Sequence, residues 1–222
     1  MIKDIKKMEV KAWALAGIAP YFLEPKKTDV FDEALAMARE IKDLDAKTKV
    51  LIKIVLSGLD PQDVLAVVRE IKDLGKRTRV LIKIALNLSD PLKTQILNEA
   101  LATVKEINYS NERTVFLIRI AHNLPENQMI CALNELIIAA RRNENAIDRA
   151  KLIERLAPLM IKLTPSALYT LWRETLNILA QRTRSDLLSD LTALIPVILA
   201  LGGQEALMET ARAIEDVGRW WP

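Results

Sequence analysis

Apolar residues recur along this chain at three- and four-residue spacings. Leu35, Ala38 and Ile41 form one stripe, and Val50, Leu51, Ile54 and Val55 form the next. Such spacing gathers side chains on one face of an α-helix, because about 3.6 residues complete a turn. The pattern predicts helices over residues 8–22, 30–43, 47–58, 61–73, 77–88, 91–107, 112–123, 127–142, 146–162, 165–181, 184–201 and 204–217. No β-strand is expected. Asp60-Pro61, Asp90-Pro91 and Thr164-Pro165 each offer a capping side chain followed by a proline in the first turn. Gly75 is expected to separate two helices, and Gly202-Gly203 to end the helix that holds Pro196. The connections are short, as between antiparallel neighbours.

The helices repeat. Ile41-Lys42-Asp43-Leu44 returns as Ile71-Lys72-Asp73-Leu74, and Val50-Leu51-Ile52-Lys53-Ile54 returns as Val80-Leu81-Ile82-Lys83-Ile84. Leu117-Ile118-Arg119-Ile120 and the segment Leu152 to Leu156 continue the series. Trp13 to Pro20 and Leu191 to Pro196 are its drifted outer copies. This register puts Ile18, Ile54, Ile84, Ile120, Leu156 and Leu194 in one column, all expected to be buried. One amphipathic hairpin cannot bury its own apolar faces, whereas stacked hairpins bury them against each other. The expected fold is therefore all-α: an α-solenoid of about six stacked antiparallel helix hairpins, a HEAT/TPR-like superhelix. It is read as a single domain over residues 1–222. Ile5 aligns with Ile41 and Lys11 with Lys47, so residues 1–7 look like the end of a first helix whose beginning is absent. The chain is thus expected to be a fragment starting inside a repeat. Gly218 is expected to close the last helix in a left-handed cap.

Composition narrows the function. Half of the 222 residues are apolar, 5% are aromatic and 27% are charged. The 32 basic and 29 acidic residues give a net charge of only +3, with no basic tail. A dedicated nucleic-acid binder is disfavoured by this balance. Cys131 is the one cysteine, expected to be a buried thiol in a reducing cytoplasm. His122, the one histidine, falls near a helix end and reads as a surface or capping residue. No apolar stretch is long enough to span a bilayer, and no membrane association is expected. No catalytic set, phosphate-binding loop, cofactor site or metal site is evident, and no enzymatic activity is expected.

The unit Glu33-Ala34-Leu35-Ala36-Met37-Ala38-Arg39-Glu40-Ile41-Lys42-Asp43, followed by a basic and apolar helix, resembles helical repeats of large multidomain bacterial proteins, cyanobacterial ones especially. The ending Arg212-Ala213-Ile214-Glu215-Asp216-Val217-Gly218-Arg219-Trp220-Trp221-Pro222 is similar to the C-terminal ending of such chains. The resemblance implies a repeat domain behind a signalling ATPase of the NACHT or NB-ARC type, or behind a caspase-like or WD40 module. It also implies a scaffold or sensor role rather than catalysis.

The most suggestive surface feature is a basic ladder on the second helices: Lys49, Lys53, Arg79, Lys83, Arg119, Lys151 and Arg155, with Val115 breaking one row. Pairs at i and i+4 share a helix face. Three readings stay open: a solvated face paired with nearby carboxylates, a docking surface for an acidic protein, and a HEAT-like nucleic-acid-binding surface. Two further columns complement the helix dipole, with Glu33, Asp63, Glu99 and Glu135 near N-termini and Arg39, Arg69, Lys105, Arg141 and Arg212 near C-termini. Trp13 and Trp172 read as core. Trp220 and Trp221 read as an end cap or a docking site. Met8, Val10, Trp13 and Leu15 lack an upstream neighbour, so this N-terminal end is expected either to be the least protected part of the chain or to be covered by self-association with a second copy.

Overall fold

The computed structural model describes the backbone of residues 2–108 and 111–220 and the side chains of 7–108 and 111–219. Among the described residues the structure is all-helical, without strands. The helices are α1 (Ile2–Ile18), α2 (Lys26–Glu40), α3 (Leu44–Leu56), α4 (Pro61–Arg69), α5 (Leu74–Ala85) and α6 (Leu92–Glu106). They continue with α7 (Asn111–Ala121), α8 (Glu126–Arg142), α9 (Ala146–Met160), α10 (Pro165–Leu179), α11 (Arg184–Ala193) and α12 (Ile195–Trp220). A single 3-10 turn, Ala19–Tyr21, follows α1.

The chain forms two compact units, Met1–Phe116 and Leu117–Pro222. In the first, α1 packs on α2 and α3, α2 also on α4, and α3 also on α5. Helix α5 in turn packs on α4 and α6. In the second, α8 packs on α9 and α10, α9 also on α11, and α10 also on α12. Contacts between alternate helices thus recur in both units: α1 with α3, α2 with α4 and α3 with α5 in the first, and α8 with α10, α9 with α11 and α10 with α12 in the second. The cores are aliphatic: Val50, Leu51, Ile54, Leu81 and Ile84 in the first unit, and Leu133, Leu136, Ile153 and Leu156 in the second.

Repeated aspartates start the second helices. Asp43 accepts a 2.7 Å hydrogen bond from the Ala46 amide, and Asp73 accepts one of 2.8 Å from the Lys76 amide. Each satisfies an amide that the first helical turn leaves without a carbonyl. Asp60 caps α4 through the Gln62 amide, with Pro61 behind it. Thr164 precedes Pro165 as expected, but its hydroxyl does not cap α10. Its amide and hydroxyl both donate to Glu126 Oε1, at 2.9 and 2.7 Å.

A basic column four residues beyond these caps closes the preceding helices. Lys47 Nζ donates to the Arg39 carbonyl at 2.9 Å. Arg77 donates from Nε to Ile71 and from Nη2 to Arg69, at 2.9 and 2.8 Å. Arg113 reaches the Lys105 and Ile107 carbonyls, and Arg149 reaches that of Asn143. Every member neutralises carbonyls that a helix end leaves exposed, and a cation also suits the negative pole there.

Arg149 does more. It is fully buried, and its Nε lies 3.0 and 2.8 Å from the two carboxylate oxygens of Asp190, which is buried as well. Its Nη2 stands 3.1 Å from Asp186 Oδ1 as an ion pair whose alignment is not that of a hydrogen bond. The arrangement fastens α9 to α11.

Several expectations need correction. Of the six column residues, Ile54, Ile84, Ile120, Leu156 and Leu194 are buried, but Ile18 is 46% exposed. The buried face of α1 is Ala12 and Ala16, continued by Ala19 in the turn that follows, so the first copy is shifted by one residue. Ala16 and Ala19 lie 35, not 36, positions before Leu51 and Ile54. Residues 2–7 are not the end of a separate helix but the beginning of α1. Met8 stands 35 positions before Asp43 and offers no capping side chain, so no cap interrupts the helix. Gly75 lies inside the first turn of α5 rather than between helices, and a Cβ there would come within 2.6 Å of Glu112 Oε1.

The helix expected over 184–201 stops at Ala193 and restarts at Ile195. Pro196 has no N–H to donate to Thr192, which breaks the ladder of bonds there. Gly202 and Gly203 then interrupt α12 as expected, Gly203 taking φ +64°. Beyond them the helix resumes, and no residue from 203 to 219 is buried. Leu207, Thr210, Ile214 and Gly218 form its half-buried stripe. Gly218 is inside this helix and takes no left-handed conformation.

Two changes test these supports. Asp73→Ala is expected to destabilise the protein by about 1 kcal/mol through the lost cap, read from the urea midpoint. Arg149→Met should cost about 3–5 kcal/mol, because it strands a buried carboxylate. Replacing Asp190 by Leu in the same chain should restore much of that. An Arg149→Met variant with the wild-type midpoint would refute the role given to this pair.

Candidate functional site

In the first unit, Lys49 and Lys53 project from one face of α3, and Arg79 and Lys83 from the matching face of α5. These two helices pack together, which brings the four cations into one field. Asp45, in the first turn of α3, is ion-paired with Lys83. That hydrogen bond and charge hold the Asp45 carboxyl below the usual range, with Lys49 and Arg79 adding to the effect. Lys53 turns the other way, its ammonium 5.3 Å from the centre of the Trp13 ring, a cation–π distance. Its stem crosses α1 at Gly17, where an added Cβ would lie 3.4 Å from Lys53 Cε.

In the second unit, Arg119 extends from α7, and Lys151 and Arg155 from one face of α9; all three are exposed. Among the described residues, no carboxylate lies within ion-pair distance of Lys49, Arg79, Arg119, Lys151 or Arg155. The ladder is thus only partly neutralised inside the protein.

The other charged columns behave differently. Lys11 pairs with Glu33 at 3.0 Å and Arg39 with Glu70 at 3.0 Å. Arg69 grips both oxygens of Glu99, at 2.7 and 2.9 Å. The first pair ties α1 to α2, and the other two tie alternate helices, α2 to the end of α4 and α4 to α6, a role beyond the dipole placement read from the sequence. Exposed pairs of this kind contribute roughly 0.2–1 kcal/mol each.

Beside the ladder runs an apolar groove of about 610 Å³ in the first unit. Val10 and Trp13 of α1 and Ile52 and Leu56 of α3 line it, with Lys49 and Lys53 on its wall. Trp13 is 52% exposed, so it is a surface indole and not the core residue expected. Trp172 is half-buried. The sequence carries one signal of this groove. Helix α3 is apolar at six of its last seven positions, Val50 to Leu56, more than one buried face needs.

Cys131 is exposed, contrary to expectation, because it points away from the buried Met129, Ala132 and Leu133 of α8. His122 is at the surface, its Nδ1 3.3 Å from Lys162 Nζ, and desolvation, then that charge, lowers its pKa. Among the described residues no group of three or more His, Cys, Asp or Glu side chains is placed to hold a metal ion. No single helix there is long and apolar enough to cross a bilayer; α11 with α12 meets that test only as a pair bent by 79°. The end cap or docking role expected of Trp220 and Trp221 lies outside the described residues.

Acid sensitivity follows from these contacts. Asp45 and Glu99 are lowered first by hydrogen bonds from Lys83 and Arg69, Asp186 by the Arg149 guanidinium beside it, and Glu126 by hydrogen bonds from Thr164. A carboxylate with a depressed folded pKa stabilises the fold above its unfolded pKa, and that stability disappears as pH falls through the folded value. The melting temperature should therefore hold near neutrality and fall below about pH 4.5. Glu99→Gln should flatten part of that fall. A melting temperature insensitive to acid would contradict the assignment.

Compared with known proteins, the chain matches no family model, no curated protein and no solved structure.

Proposed function

We propose that this chain is a non-catalytic protein-interaction module, a scaffold or sensor part of a larger bacterial signalling protein working in the cytoplasm. In this reading the helices form a HEAT/TPR-like α-solenoid of stacked hairpins. Support comes from the contacts between alternate helices within each unit and from the repeated cap and latch residues. The observation that carries the proposal is the ladder itself. Five cations, Lys49, Arg79, Lys151 and Arg155 in mid-helix and Arg119 in the last turn of α7, are exposed with no carboxylate within ion-pair distance among the described residues. A purely structural spacer has no need of such cations in either unit. An acidic protein surface would complement them, and like-signed partners would be repelled. Self-association belongs to the same reading, supported by the exposed Val10, Trp13, Ile18, Tyr21 and Leu23 at the N-terminal end.

The test is binding to poly-glutamate and to duplex DNA, with and without reversal of Lys49, Arg79, Lys151 and Arg155 to Glu. Poly-glutamate should bind the unaltered chain and be lost by the reversed one, whose helicity should be unchanged. Duplex DNA should bind weakly and fade by about 0.2 M salt, as phosphate contacts alone do. Tight, salt-resistant DNA binding would replace this reading with a nucleic-acid one. Equal poly-glutamate binding by both chains would remove the ladder from it.

A further inference from the structure

We propose that the groove between α1 and α3 is a docking site for an acidic peptide segment that carries large apolar side chains. This rests on the reading of the chain as a protein-interaction module and names the site and the chemistry of its partner. Three observations lead to it.

The first is the floor. Val10 is 65% exposed, Trp13 52% and Leu56 59%, and they converge with the half-buried Ile52 on one recess. Single exposed apolar residues are ordinary, but a contiguous recess of them marks an interaction site. Its volume, about 610 Å³, is ample for two or three aliphatic or aromatic side chains but open along its length. That suits a peptide laid along it with anchors at alternate turns or alternate residues.

The second is the wall. Lys49 and Lys53 border the recess, with Arg79 and Lys83 on the adjoining helix. The facing carboxylates are Glu9 and Asp45, and Lys83 already holds Asp45. The local excess of positive charge thus falls on the side where a bound peptide would display its polar face. Carboxylates there would meet ammonium groups that the fold leaves without ion-pair partners.

The third is the indole. Lys53 lies over the Trp13 ring, and Gly17 leaves room for its stem. The pair pre-positions a cation and an apolar edge together, so less side-chain freedom is lost on binding. The same contact disfavours single-stranded nucleic acid, which needs an open aromatic face for a base. Recession of the apolar side chains disfavours insertion into a lipid surface, which calls for a protruding apolar face.

The experiment measures fluorescence anisotropy of a labelled amphipathic peptide of Leu and Glu residues against the whole chain. A Leu/Lys peptide, oligothymidylate and phosphatidylserine vesicles serve as comparators. Lys49→Glu with Lys53→Glu, and separately Trp13→Ala, should each weaken Leu/Glu binding by about tenfold or more. Lys151→Glu with Arg155→Glu in the second unit should leave it unchanged. All these side chains are at least partly exposed, and circular dichroism should show wild-type helicity in each variant.

Equal weakening by both Lys49/Lys53 and Lys151/Arg155 reversals would overturn the groove yet leave the interaction module standing. So would poly-glutamate binding without Leu/Glu binding. Failure of both acidic ligands would remove the groove and the module together. Preferential binding of oligothymidylate or vesicles would reassign the groove to that partner. A Trp13-dependent dimer in sedimentation that excludes the peptide would assign it to a second copy of the chain.

Discussion

Helix ends are the constraint on which this protein depends. Each turn must stop one helix and start the next within a few residues, and both ends expose backbone groups without partners. One short piece of chain solves both problems. An aspartate or asparagine takes up the first amides of the new helix, as Asp43, Asp73 and Asn145 do. Four residues later Lys47, Arg77 or Arg149 reaches back over the carbonyls of the old one. The turn thereby sets where one helix ends and the next begins, and the packed helices meet through aliphatic residues such as Leu51, Ile54 and Ile84.

The helical class and the repeat were legible because both rest on spacing. Apolar residues three and four apart have one economical arrangement, and the Ile-Lys-Asp-Leu copies announce the same turn twice. What escaped depends on single substitutions within the copies. Met8 in place of an aspartate lets α1 run through a point where the repeat would break. Alanines at 12, 16 and 19 turn the face of α1, so that Ile18 lies outside. Pro196 breaks a helix that hydrophobicity alone carries on to Leu201. The Arg149–Asp190 pair could not be read at all, since 41 residues separate its members and neither stands in an apolar run.

The site was half legible. Lysines and arginines at i and i+4 in successive copies reveal a row, whichever way the helices pack. Whether a carboxylate answers each of them depends on tertiary placement, and only Lys83 finds one among the described residues. The recess beside the row comes from residues that look like core. Ile52 and Leu56 are apolar for a helix face that has no covering neighbour, and Trp13 resembles a buried indole until α1 is rotated into its observed register.

The distal arm of α12 has a consequence for how this molecule loses its structure. Past Gly203 the helix has only a half-buried stripe and no buried residue, so it adds little apolar area to its unit. Its backbone is held mainly by its own hydrogen bonds, which are marginal for an isolated helix of this length. On warming, the arm should fray while the aliphatic interior is still intact. Far-ultraviolet ellipticity would then begin to fall before heat absorption peaks, and the calorimetric and van't Hoff enthalpies of one preparation would disagree. A protein that by its repeats invites description as one cooperative body would behave, at this end, as a body with an independently melting tail.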